Sequence, residues 1–277
     1  MTGFWRQFAR RRVAVLGLAV FLAIAATAVL APVLMPGDPW EMAGPPRLWP
    51  GADPRFPLGT DILGRDILAG LLHGAAVSLL IGLCATVAAL AIGTTIGAVA
   101  GYAGGRADRL LMRVTEIFQT VPGFLLMLML VAIFSPSVGM IVTAIAISSW
   151  PPVARLVRAE FMSLRSREYV LSCQVLGMSP LRIVLTQILP NGFSSILTIA
   201  SVMVASAILN ESSLSFLGLG DPNVMSWGTM ISIGRNAVRT AWYMAAIPGL
   251  AIVVTVLALN LLGEGLNDAL NPRLQER

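Results

Sequence analysis

Six long apolar runs, separated by polar segments, organise the chain: Val13–Met35, Ala75–Gly101, Ile117–Phe134, Val138–Val157, Phe193–Leu209 and Ala245–Leu262. A helix needs about 20 mainly apolar residues to cross the hydrocarbon of a bilayer. Each run is therefore expected to be a transmembrane helix, and the fold to be all-α and polytopic. The third and fourth spans are joined by a tight Ser135-Pro136-Ser137 turn. The first follows Arg6, Arg10, Arg11 and Arg12. It is long for a signal peptide and Ala31-Pro32 is a poor cleavage context, so a retained helix is expected. The expected organisation is one membrane domain over 1–277. It comprises an N-terminal helix with an outer loop (1–74), a five-helix core (75–272) and a short tail (273–277).

Composition agrees. The chain is 56% hydrophobic and 12% charged, with a mean hydropathy of +0.80, where soluble proteins carry about 25% charged residues. The net charge of +5 would suggest nucleic acid only if a soluble face could hold a basic patch. All 19 basic residues are arginine, and their placement is one-sided. With the N-terminus in the cytoplasm, Arg6, Arg10, Arg11, Arg12, Arg106, Arg109, Arg113, Arg155, Arg158, Arg165, Arg167, Arg182, Arg273 and Arg277 fall on the cytoplasmic side. Arg47, Arg55, Arg65, Arg235 and Arg239 fall outside, so the ratio is fourteen to five. The positive-inside rule then predicts N-in, C-in.

Several chemistries are disfavoured. Cys84 in an apolar run and Cys173 in a polar loop do not suggest a disulfide. The only histidine, His73, reads as interfacial, and a multi-His metal site is excluded. The chain has no lysine and hence no phosphate-binding Gly-x-x-x-x-Gly-Lys loop. It therefore cannot supply a conventional P-loop ATPase. Ion-driven carriers place ionisable groups inside their spans, whereas Glu116, Glu211 and Glu264 are expected near span ends.

The polar stretch Arg155–Asn191 holds five arginines and two glutamates. From Arg167 a short helix is predicted, with Tyr169, Val170, Cys173 and Leu176 on one side. Gly177 suits the left-handed residue that ends helices. Ser179 suits an N-cap and Pro180 the first helical position. Leu181, Val184, Leu185 and Ile188 then form an amphipathic stripe, and Pro190 marks a break before the fifth span. This predicts a helix-turn-helix along the membrane face. It could be an interfacial anchor or a docking element for a soluble protein, and the pattern leaves both open. Gly93, Gly97 and Gly101 predict a groove for close helix packing. Pro36–His73 is expected to be irregular, and Asn210–Tyr243 to be an outer segment that dips back as a short re-entrant piece.

These residues carry a family resemblance. Glu168-Tyr169-Val170, Gly177, Ser179, Arg182-Ile183 and Leu189-Pro190-Asn191 resemble the "EAA" loop of permeases in bacterial ATP-binding-cassette importers. Leu58-Gly59-Thr60-Asp61 with Gly64-Arg65-Asp66 resembles the dipeptide, oligopeptide and nickel permease group. So do Gly101-Tyr102-Ala103-Gly104-Gly105, Met112-Arg113, Ser215–Gly220, Asn260–Gly263 and Asp268–Arg273. The set spans nearly the whole chain in order, and the basic N-terminal helix resembles the second, "C-type" subunit. Departures are Ser172-Cys173 for an alanine pair, Gln187 for a histidine and Ala76 for an arginine.

The resemblance implies a transmembrane importer subunit without catalysis or cofactor of its own. ATP and Mg would sit on two separate ATPase subunits, and a second permease and an extracytoplasmic solute-binding protein would be partners. It makes Glu168, Tyr169, Val170, Cys173, Gly177, Ser179 and Arg182 the ATPase-coupling residues. Asn210, Glu211, Asp221, Trp227, Arg235 and Asn236 become candidates for the pathway or its outer mouth. Asp61, Arg65 and Asp66 are expected to form a salt-bridged structural turn. Peptides are the first expected solute. Alternatives are nickel or another small solute within the same group, or an ATP-independent channel or carrier.

Overall fold

The structure, a computed structural model, describes residues 8–9 and 11–270. The expected tail (273–277), Arg6, Arg10, Arg273 and Arg277 lie outside the described residues.

Helix α1 (Arg12–Leu34) leads through an irregular segment to α2 (Ile67–Ala103), then α3 (Gly105–Thr120), α4 (Gly123–Phe134) and α5 (Val138–Arg165). A short α6 (Glu168–Val175) and α7 (Pro180–Ile183) follow. A π turn over Val184–Ile188 carries the chain into α8 (Leu189–Leu214). A second π turn (Ser215–Leu219) precedes α9 (Trp227–Gly234), and α10 (Tyr243–Leu270) closes the described chain. Among the described residues five segments are long and apolar enough to cross a membrane, and six if the bent α3–α4 pair counts as one.

That pair corrects the third expected span. Instead of one helix over Ile117–Phe134, α3 and α4 meet at 78°. Pro122 has no N–H for the helical ladder, and a residue before proline is pushed out of the helical region. Val121 accordingly sits at φ −89°, ψ 128°. At 12 residues, α4 is about 18 Å long and cannot cross alone. Bidentate pairing of Arg158 on α5 with Asp108 ties α3 to the bundle, the second bond being 2.7 Å.

The glycine stripe on α2 packs against α5, the most extensive helix contact in the bundle. A Cβ on Gly93 would lie 2.6 Å from Val153 Cβ, and one on Gly97 2.5 Å from the Ala154 carbonyl. One on Gly101 would lie 2.6 Å from the Arg158 carbonyl. Backbone-to-backbone approach is what the four-residue spacing of small residues permits. Ala85, Ala89, Ala144, Ala154, Val153, Val157 and Phe161 fill the same seam.

Helix α1 packs on α10, with Gly17 against the Ala258 carbonyl. Arg11 pairs with Asp268 at 3.0 Å, so the start of α1 and the end of α10 share one end of the bundle. The α6–α7 turn lies at that end as well, since Arg165 donates to the Tyr102 carbonyl at the finish of α2.

The opposite end carries residues 36–66. They are irregular, as expected, although Ile67–His73 already form the first turns of α2. The Asp61 carboxylate accepts the N–H groups of Leu63 (2.8 Å) and Arg65 (2.9 Å), and the Arg65 guanidinium lies 3.8 Å from it. Asp66 caps α2 through the Leu68 N–H. The Tyr243 hydroxyl donates to the Leu48 carbonyl at 2.8 Å and locks this loop onto α10. The Ser135-Pro136-Ser137 turn forms as predicted, Ser137 capping α5 through the Met140 N–H.

Candidate functional site

Two features stand out, a protruding turn at one end of the bundle and a cavity inside it. The turn begins later than the composition suggested. The polar stretch was expected to leave the membrane at Arg155, but α5 stays helical to Arg165. Arg155 donates to Gln119 at 3.0 Å, and Arg158 is taken up by Asp108. Only Ser166–Ser179 forms the exposed connection.

Within it, Gly177 has φ +77°. Its N–H donates to the Gln174 carbonyl at 3.0 Å, and the Met178 N–H donates to the Cys173 carbonyl at 3.1 Å. These two bonds are the Schellman ending of a helix, in which the left-handed residue lets the last carbonyls be satisfied. Ser179 has the extended backbone of an N-cap and Pro180 opens α7, but the Ser179 hydroxyl makes no capping bond.

The faces differ from the predicted stripes. Val170 is buried and Cys173 and Met178 half-buried, whereas Tyr169 and Leu176 are exposed. On the second arm Ile183 and Ile188 are buried, while Leu181 and Leu185 are exposed. On the second arm the cause is the π turn: the Leu189 N–H bonds the Val184 carbonyl, five residues back. A turn wider by one residue brings positions five apart onto one face. It also makes room for Pro190, so the chain runs on into α8 without the predicted break. Val170, Ile183 and Ile188 pack on Val157 and Phe161, fixing the turn to α5. Outward it presents Leu171, Val175 (88% exposed), Leu176 (80%) and Leu181 (69%), with the polar Glu168 and Arg182 among them. Glu168 opens α6, where a negative charge suits the helix dipole.

The six outer-mouth candidates separate. Asn210 and Glu211 are not in an outer loop; α8 continues through both. Glu211 is 1% exposed. Its Oε1 accepts from Ser226 (2.6 Å) and Ser215 (2.8 Å), and its Oε2 from Ser212 (3.3 Å). Among the described residues no cation pairs with it. Trp227 is also buried. Its N–H meets the Ser78 hydroxyl at 3.1 Å, and its indole N–H donates to the Leu71 carbonyl at 2.9 Å. Together they pin the short, folded-back α9 against α8 and α2. A Cβ on Gly228 would lie 2.7 Å from Ser212 Cα.

Asp221 accepts the Val138 N–H at 3.0 Å and so caps α5 from across the fold. Arg235 donates to the Phe216 carbonyl with its guanidinium over that ring. Asn236 is exposed on the 3₁₀ turn that follows α9.

Replacing Glu211 by alanine strands the Ser215 hydroxyl and leaves Ser226 only its bonds to Thr229, a loss of about 2 kcal/mol. Thermal unfolding of the purified protein should show a lowered midpoint, with Glu211→Gln, which keeps an acceptor, falling less. An unchanged Glu211→Ala midpoint would contradict this role.

The cavity, of about 350 Å³, lies between α2, α4, α5 and α8. Its polar lining is Thr86, Ser148, Ser149, Ser206 and Asn210, and no charged side chain borders it. Met127, Ile145 and Met203 supply apolar wall. Of the sequence candidates only Asn210 reaches it. Sequence reasoning missed the others, although Pro151-Pro152 beside two serines was a visible sign of irregular backbone in a span.

Residues 93–276 match the family described as binding-protein-dependent transport system inner membrane component. Residues 1–48 match the N-terminal TM domain of oligopeptide transport permease C. The chain is 42% identical to the di/tripeptide transport system permease protein DppC of Pseudomonas aeruginosa, covering 98% of this chain and 92% of that one. It is 41% identical to the glutathione transport system permease protein GsiD of Pectobacterium atrosepticum (98% and 91% covered). Identity to the dipeptide transport system permease protein DppC of Escherichia coli K12 is 39% (99% and 93%). Among solved structures, a chain of the MetNI methionine ABC transporter in an inward-facing conformation shares the fold. The TM-score is 0.62 at 15% identity, over 74% of this chain and 98% of that one. A family match over most of the chain, relatives aligned nearly end to end and a common helical fold agree: the chain belongs to the binding-protein-dependent transport system inner membrane components.

Proposed function

We propose that this chain is one of two permease subunits of an ATP-driven peptide importer, lying N-in, C-in with the α6–α7 turn in the cytoplasm. The observation that carries the proposal is the turn itself. A Schellman-closed loop is packed on α5 through Val170, Ile183 and Ile188, yet holds Val175, Leu176 and Leu181 out beyond the bundle. A rigid apolar tip seats in a cleft of a soluble partner and transmits a push to the helix beneath it. Here that helix is α5, which also carries the α2 seam and one wall of the cavity. In this reading Gly177 sets the angle of the tip, Tyr169 and Leu176 make apolar contact with an ATPase subunit, and Glu168 and Arg182 make polar contact with it. Val170 and Cys173 anchor the loop inward, and Ser179 starts the return arm.

Peptide as the solute is supported by the names of the relatives at 39–42% identity, which include di/tripeptide and dipeptide permeases. Glutathione, itself a tripeptide, is the second reading, favoured by the 41% identical glutathione permease. A separate binding protein would deliver the solute, and ATP and Mg would act on the ATPase subunits.

The test is to co-express the chain with the permease and ATPase genes beside it, reconstitute the complex in lipid and measure ATP hydrolysis with and without the neighbouring binding protein. Hydrolysis that rises with peptide-loaded binding protein is expected. Solute flux through the purified chain alone, with no ATPase bound, would overturn the reading.

A further inference from the structure

We propose that the cavity between α2, α4, α5 and α8 is a solute subsite that hydrogen-bonds the backbone amide of a passing peptide through Ser149, Ser206 and Asn210. The inference rests on the peptide-importer reading and adds to it a place and a mode of contact.

Unspent hydrogen-bonding capacity is gathered at the site. Many hydroxyls elsewhere in the bundle satisfy themselves on their own helix. Thr27, Thr95, Thr143, Ser213 and Thr255 all donate to a carbonyl three or four residues back, at 2.7–2.8 Å. Around the cavity only Ser148 does so, donating to the Ile145 carbonyl at 2.9 Å. Ser149, Ser206 and Asn210 have no side-chain partner among the described residues. Thr86 borders the same space, 3% exposed, and its hydroxyl is buried without a partner. Buried polar groups are nearly always paired, so an orphan at a cavity wall calls for an explanation.

The backbone adds to this capacity. Pro151 and Pro152 lie inside α5 and have no N–H, which removes the ordinary helical donors for the Ile147 and Ser148 carbonyls. Ser148 and Pro152 both line the cavity.

The wall therefore offers donors and acceptors but no charge. A peptide bond has the same character, one N–H and one carbonyl without net charge. A carboxamide such as that of Asn210 can pair with it reciprocally. About 350 Å³ is at the lower end of small-ligand pockets, enough for a short peptide segment. Neutral contacts are also weak enough for release, a requirement of any transport path.

The test uses the assembled importer, with both permeases, the ATPases and the binding protein, in proteoliposomes. Initial uptake is measured at saturating loaded binding protein for a dipeptide and for its depsipeptide, in which an ester replaces the amide. ATP hydrolysis is followed in the same vesicles. Selection by the binding protein is common to all variants and cancels in their comparison.

Wild type should favour the amide. The Asn210→Leu, Ser206→Ala double variant should lose about tenfold in dipeptide uptake, as expected for two hydrogen bonds. Its amide-to-ester ratio should fall toward one while hydrolysis still responds to the binding protein. Asn210→Gln should recover part of the ratio. Equal amide and ester uptake by wild type, or an unchanged ratio in the double variant, would overturn the subsite while leaving the importer reading intact. A complex that neither hydrolyses nor transports in response to peptide would remove both.

Discussion

Replacing Gly97 by leucine is expected to prevent stable folding of the bundle. A Cβ at this position would lie 2.5 Å from the Ala154 carbonyl, 2.8 Å from Val157 Cβ and 3.0 Å from the Arg158 N–H. All are parts of α5, and two are backbone, so no rotamer change can make room. The helices must separate, and the separation propagates along the seam through Gly93 and Gly101. Overpacking costs about 3 kcal/mol at the upper end of its usual range, and a backbone clash belongs at that end. Gly249 of α10 is the control, since nothing lies within 4 Å of a Cβ built there. Gly249→Leu should fold as well as wild type, with a slight gain from removing a glycine inside a helix. The check is the yield and thermal midpoint of monodisperse detergent-purified protein. A well-folded Gly97→Leu protein would mean that the α2–α5 contact is not the spine of the structure.

Replacing Gly177 by valine should do the reverse, leaving the bundle folded and inserted while abolishing ATP-coupled uptake. Nothing lies within 4 Å of a Cβ at Gly177 in this chain, so bulk alone does not disturb it. The conflict is with φ +77°. A residue with a Cβ loses about 1–2 kcal/mol in the left-handed region, about a tenfold shift in the population of the turn. A β-branched residue fares worse. The Schellman bonds would open, α6 would change direction, and Val175 and Leu176 would swing away from where a partner could grip them. Gly177→Asn separates shape from bulk, because asparagine tolerates this conformation better than other residues. If Asn retains part of the transport and Val retains none, the turn angle is what couples. Normal uptake by Gly177→Val would remove the turn from the mechanism. Loss in both variants would point instead to a partner surface pressed against the glycine.

The two glycine sites also show how unevenly the chain could be read. Both were visible in the sequence, because a glycine stripe and a glycine between two short amphipathic pieces each have one main physical use. Pro122 was visible too but was absorbed into an apolar run. Hydropathy averages over a window, and a proline with apolar neighbours does not lower the average enough to reveal a 78° bend. The stripe of the second arm of the α6–α7 turn was misplaced because helical spacing assumes 3.6 residues per turn, and the π turn at Val184–Ile188 breaks that count.

Two of the pathway or outer-mouth candidates sit where the sequence did not show. Glu211 and Trp227 are the kind of residue expected at a mouth, yet here they serve to hold α9 down. Exposure is set by what packs over a residue, and α9 comes from a later stretch of the same chain.

By itself, the sequence determined which segments prefer lipid, that the bundle is helical, where the close helix contact lies and where the α6–α7 connection turns. These depend on properties local to a residue or a single turn: transfer free energy, the absence of a Cβ and the absence of an N–H. Only the tertiary structure decided that α3 and α4 form a bent pair, that Arg158 is spent on Asp108 and that Glu211 is sealed. It alone assembled Thr86, Ser149, Ser206 and Asn210 from three helices around one cavity. The bend has a local cause at Pro122 that window averaging hides; the others depend on groups far apart in the chain meeting within a few ångströms, and no periodicity within one segment encodes that distance.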